Sequence, residues 1–154
     1  MKDGTRTGNS VKKLVCIVIF IACLHLCITG SQAGNKRKAL HYWPEKVTLQ
    51  GTLVFRTFYG PPNYGENPRT DSKETQSILL LDDAFDVIGD KQDPFNETER
   101  GVNRVTLVFS NPIPHPVRYY LKRRVTVEGT LFHGFNGHHR TKILITVSSI
   151  NRVR

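Results

Sequence analysis

The sequence predicts an all-β domain, a small Greek-key barrel of five to six strands with one short helical turn. Three observations carry that expectation. Apolar and polar residues alternate with a period of two over most of the chain beyond residue 46. The pattern V-T-[LV]-x-G-T-L occurs twice, over Val47 to Leu53 and over Val125 to Leu131, each time with a glycine in mid-strand. No segment beyond residue 33 carries a long 3.6-residue period.

The elements follow in order. Val47, Leu49, Gly51, Leu53 and Phe55 share one face of the first strand, and Thr48, Gln50 and Thr52 share the other. Thr75 to Leu81 forms the next strand, stopped by Asp82-Asp83. A short strand is expected from Phe85 to Ile88 and a stronger one from Arg104 to Phe109. Pro116 opens one or two helical turns over Val117 to Lys122, at the position where a helix tolerates proline. Arg124 to His133 places Val125, Val127, Gly129 and Leu131 on one face. Thr141 to Ile150 does the same with Ile143, Ile145 and Val147. A mid-strand glycine marks a bulge or bend, and two bent strands let a small sheet curl closed. Short strands with a helical link before the penultimate one suggest the oligonucleotide/oligosaccharide-binding (OB) design, with a small open sandwich as the alternative.

Length and charge bound the rest. The 154 residues carry a formal net charge of +9, with 38% hydrophobic and 23% charged residues. This suits one folded domain with appendages and excludes a large multidomain enzyme or a polytopic membrane protein. Lys12 and Lys13 precede an apolar run from Leu14 to Ile28, followed by Gly30 and Ser31-Gln32-Ala33. That order is a secretory signal peptide, with cleavage expected after Ala33. An uncleaved anchor, which wants about 20 apolar residues, and a lipoprotein modified at Cys23 are the rival readings. The expected organisation is a signal over 1–33, a basic leader and edge segment over 34–46, the domain over 47–150 and a tail over 151–154. The product is exported, to the periplasm or beyond.

All three cysteines (Cys16, Cys23, Cys27) lie in the signal, so the mature chain has no disulfide, Cys nucleophile or Cys-ligated metal. Loss of the signal leaves +6. Residues 82–99 hold seven acids and one lysine, so the rest of the mature chain nets +12. Asp86, Asp90 and Asp93 are expected to form a solvated loop. A divided surface fits charged partners, although solubility is its commoner purpose. Asn96-Glu97-Thr98 is a formal glycosylation sequon. The basic, aromatic stretch Arg118 to Arg124 has a composition that binds single strands, but the export signal disfavours nucleic acid.

Two loops stand out. Tyr59 to Pro68 contains G-P-P-N-Y, and Gly134 to His138 precedes the last strand. In an OB-type barrel the corresponding loops line one cleft. Pairing the last two strands around a five-residue loop sets His133 opposite His139, Leu131 opposite Thr141 and Gly129 opposite Ile143. Two facing imidazoles suit a divalent metal such as zinc, with Glu66 or Asp71 as a third ligand; capping the barrel is the plainer role.

Gly51-Thr52-Leu53, Gly60-Pro61-Pro62-Asn63-Tyr64, Leu79-Leu80-Leu81-Asp82, Val125 to Phe132 and Gly137-His138-His139 together resemble a bacterial family of small exported proteins catalogued as a domain of unknown function. The resemblance covers about residues 47–150. Family members often follow the G-H-H turn with another histidine, where this chain has Arg140. The resemblance implies an exported, OB-like domain and brings no activity or catalytic residue.

The function expected is a binding or interaction module of the cell envelope. Asn63, Tyr64, His133, Phe135, His138, His139 and Arg140 are its candidate residues. Tyr64 and Phe135 offer stacking area, Asn63 and the histidines directional hydrogen bonds, and Arg140 an anion contact. A partner protein, a glycan or a small anion would fit, with no cofactor required. The alternatives are a metal-dependent hydrolase using His133 and His139, and a ligand-free structural factor of the envelope.

Overall fold

The computed structural model describes residues 36–153; the expected signal peptide and the first leader residues lie outside them. The elements are β1 (Lys38–His41), β2 (Lys46–Tyr59), β3 (Lys73–Ile88), β4 (Glu99–Val108), a 3-10 turn (Val117–Tyr120), β5 (Arg124–His133) and β6 (Ile143–Arg152). They form one sheet in the order β1-β3-β2-β5-β6-β4, and β4 pairs again with β3. Strands β2 to β6 therefore close a ring of hydrogen bonds. β4 and β6 pair in parallel and the other ring neighbours antiparallel. This is the connectivity that the all-β, OB-like expectation requires, with the 3-10 turn before the penultimate strand.

The two motif glycines sit where backbones crowd. A Cβ on Gly51 would lie 2.1 Å from the Leu80 carbonyl oxygen, and one on Gly129 2.1 Å from that of Thr146. β2 holds both neighbours at once at Gly51, with Leu81 on β3 and Val125 on β5, and at Thr52, with Leu80 and Arg124. At Gly129 the β5–β6 register shifts by a bulge, which lets β6 bend.

Alternating side chains fill the ring. Leu53, Leu79, Val105, Val127, Leu131 and Ile145 have no exposed surface. Each such aliphatic side chain stabilises the fold by about 1.5–3 kcal/mol. The odd-numbered face of β2 stays inward only as far as Leu53, and Phe55 is exposed. Beyond Thr52 the strand has lost β5 and pairs with β3 alone, so no second layer faces it.

Four expectations are corrected. Asp82-Asp83 do not stop a strand, because β3 runs through them for 16 residues. The chain changes partner there, from β2 up to Leu81 to β1 from Phe85, and the two acids stay exposed. Part of the basic leader is strand β1, paired in parallel with the end of β3. Leu40 and Tyr42 bury its inner face, and Arg37 holds Asp86 at 2.7 Å.

The acids of 82–99 are not simply solvated. Asp86 is buried, accepts the Gly101 N–H at 2.8 Å and pairs with Arg37 and Arg100. Asp93 caps the next turn by accepting from Phe95 N and Asn96 Nδ2. The β5–β6 register is displaced by four residues: His133 faces Ile143, Leu131 faces Ile145 and Gly129 faces Val147. An even displacement keeps the same residues inside. The connecting loop is longer than expected, and its extra length folds down over the sheet.

Candidate functional site

The β2–β3 loop is built around one carboxylate. Asp71 is buried and accepts from the Asn63 N–H at 3.0 Å, Asn63 Nδ2 at 3.1 Å, the Gly65 N–H at 2.7 Å and the Asn67 N–H at 3.3 Å. These bonds bracket Tyr64, which sits at φ 53°, a left-handed conformation that costs a bulky residue about 1 kcal/mol or more. Burial alone would raise the Asp71 carboxyl. The bonds from Gly65, Asn63 and Asn67 outweigh it and hold the group below the usual range. Asp71 is thus an organiser of the loop, already fully engaged, rather than a third metal ligand.

The β5–β6 loop covers the outside of the sheet. Ile78, Thr106 and Leu144 form one row across β3, β4 and β6 and point away from the ring interior. All three are buried, and residues 134–142 lie over Thr106 and Leu144. Thr141 Oγ1 donates to the Ile143 carbonyl at 2.6 Å and accepts the Thr106 N–H at 3.0 Å. Its single proton is then spent, so the Thr106 hydroxyl, 2.8 Å away, is the donor between the two side chains.

The two loops meet at Glu74, near the start of β3. Its Oε1 lies 2.7 Å from His138 Nδ1 and its Oε2 3.4 Å from Arg140 Nη2. The same Arg140 nitrogen donates to the Tyr59 carbonyl, and Gln76 Nε2 donates to the His138 carbonyl. The Arg140 guanidinium stacks over Phe58 and Tyr64, at 5.5 and 5.4 Å from the ring centroids. Tyr64 and His138 meet edge to face at 5.9 Å. A Cβ on Gly137 would come 3.1 Å from the Tyr64 ring, so glycine there admits the close approach.

The candidates therefore converge, but their duties divide. Asn63, His139 and Arg140 make hydrogen bonds that hold the loops in place. His139 Nδ1 accepts the Phe135 N–H at 3.1 Å, so its proton sits on Nε2, and its ring is flanked edge-on by Phe132 and Phe135. Burial, then the nearby His138, push the His139 imidazole below its ordinary value. Tyr64, Phe135 and His138 present surface to solvent, with Phe135 at 71% exposure.

His133 does not face His139, because its cross-strand partner is Ile143. Its Nδ1 is 2.9 Å from the Gly134 carbonyl and its Nε2 3.2 Å from Glu99 Oε1. Both ring nitrogens lie within hydrogen-bond distance of protein oxygens. The facing pair on which the metal reading rested is thus removed by the register. No cluster of three or more His, Cys, Asp or Glu side chains placed for a metal occurs among the described residues.

Asn96 is likewise occupied, with Oδ1 accepting from the His133 N–H and Nδ2 donating to Asp93, so the sequon serves the fold. In the basic stretch, Tyr120 is buried and Tyr119 is held between His115 and Arg152.

Sequence reasoning missed Glu74 and Gln76. Their only signal was phase, since both share the outer face of β3 with Ile78, a face that looks solvent-exposed until the loop is placed on it.

Residues 105–151 match the model of a domain of unknown function, DUF4431. No curated protein and no solved structure matches the chain. The chain is thus similar to DUF4431 over a stretch that holds His133, Phe135, His138, His139 and Arg140, and excludes Asn63, Tyr64 and Glu74.

Proposed function

We propose that this protein is an exported binding module that engages a partner protein through the joined tips of the β2–β3 and β5–β6 loops. Tyr64, Phe135 and His138 are its contact residues. One observation carries the reading: Glu74 and Arg140 lock the two loops while the Tyr64 and Phe135 rings stay exposed. Exposed aromatic side chains on a rigid frame lose little entropy on binding and serve well as anchors. An oligosaccharide or nucleic-acid strand would want the open β3–β4 face of an OB-like ring, and here the chain's own loop covers part of that face. The hydrolase reading loses its premise with the register of His133 and His139.

Photo-crosslinking side chains at positions 64 and 135 test the proposal in cells. Both positions should give one and the same protein adduct, and position 119 should not. The double change Tyr64→Ala plus Phe135→Ala should abolish capture without lowering the unfolding temperature by more than a few degrees. Adducts equal at all three positions, or none at 64 and 135, would leave a structural factor without a partner here.

A further inference from the structure

A second feature excludes Tyr64, Phe135 and His138. A groove of about 330 Å³ runs between the first half of β4 and residues 140–143. Arg100, Arg104, Arg140 and Lys142 line it, with Glu99 as the single carboxylate. The available counter-charge is already spent. Glu99 Oε1 meets His133 Nε2 at 3.2 Å and Oε2 meets Lys142 Nζ at 3.0 Å. Asp86, outside the lining, divides itself between Arg37 and Arg100. Glu74 reaches Arg140 only at 3.4 Å and is held more closely by His138.

Two donors are left over. Arg104, exposed on the outer face of β4, has no carboxylate partner among the described residues. Arg140 Nε is buried without an acceptor, on a side chain only 16% exposed. The exposed Arg104 guanidinium is free to meet an anion that enters the groove.

We propose that this groove binds the phosphate group of a small phosphorylated ligand, with Arg104 and Arg140 as its principal contacts. The volume lies at the small end of ligand sites, which run to about 300–1,000 Å³. Guanidinium forks match the geometry of phosphate oxygens, and each contact is charge-assisted. Of the four cations, Arg104 has no carboxylate and Arg140 only a long contact to Glu74, so two guanidinium groups are left to share the oxygens of one oxyanion. The groove shares Arg140 with the lock beneath the partner surface, but none of the three contact residues of that surface lines it.

Titration of the protein with inorganic phosphate at constant ionic strength, followed by amide NMR shifts, is the test. Acetate serves as the carboxylate comparison. Saturable shifts should concentrate in residues 100–104 and 140–143. Arg104→Gln should weaken phosphate about tenfold or more, the effect of losing one hydrogen bond from a charged group. Arg118→Gln, which removes a positive charge from the 3-10 turn, should leave the affinity unchanged. Non-saturating shifts, equal weakening by Arg118→Gln, or acetate binding as tight as phosphate would each overturn the proposal.

Discussion

Glu74 and His138 stand 64 residues apart in the chain, yet carboxylate and imidazole meet at 2.7 Å. That contact, with Arg140 on the other carboxylate oxygen, makes two loops into one surface. Glu74→Ala should lower stability by about 1–2 kcal/mol, as expected for partly exposed charged hydrogen bonds. Hydrogen exchange should quicken in 134–142 and spare the core strands. Unchanged protection of the loop amides would show that the hydrophobic row beneath holds it without Glu74.

Asp71→Ala should release the β2–β3 loop by a different route. The Asn63, Gly65 and Asn67 amides would lose their acceptor, and Tyr64 would lose the clamp on its positive φ. Faster exchange at these three amides and a lower unfolding temperature are expected. Partner capture through Tyr64 should fall although the ring itself is intact.

Gly129→Ala and Gly51→Ala should each cost more than about 3 kcal/mol, because the added Cβ meets backbone that no rotamer can move. Gly101→Ala is the comparison: its φ of 65° strains alanine, but nothing lies within 4 Å. A smaller loss there, read from denaturant midpoints, is expected.

Acid should weaken the fold in two windows. The Asp71, Asp86 and Glu99 carboxyls are all held below their ordinary values in the folded state. For Asp86 the Gly101 N–H is the main cause; for Glu99 burial pulls upward and Lys142 and His133 prevail. The unfolded chain takes up protons first, so this stability is full above about pH 4 and is lost as pH falls further. His139, also lowered, acts earlier: its contribution is full above about pH 6.5 and is lost below it. Protonating Nδ1 removes the acceptor of the Phe135 N–H. The Phe135 amide shift should therefore track the His139 titration, and the denaturant midpoint should begin to fall in the same range. Independent titration of the two signals would sever the link.

The sequence by itself determined which residues face inward. Val125, Val127 and Leu131, and Ile143, Ile145 and Val147, are buried as their alternation requires, because side-chain direction in a strand is a local property with a period of two. The V-T-[LV]-x-G-T-L motif likewise marked where the strands crowd, since only a residue without a Cβ fits there. The 3-10 turn followed Pro116 for an equally local reason, a fixed φ.

Register is another matter. A displacement of four residues leaves every inward residue inward, so the hydrophobic pattern is blind to it, yet it gave His133 the partner Ile143 in place of His139. The run Leu79-Leu80-Leu81-Asp82-Asp83 read as a strand end because its local composition hides the exchange of one partner strand for another. The roles at the loops were decided last. Whether Glu74 is a solvated acid or the tie between two loops depends on residues 64 and 66 positions away, brought there only when residues 134–142 fold over Thr106 and Leu144.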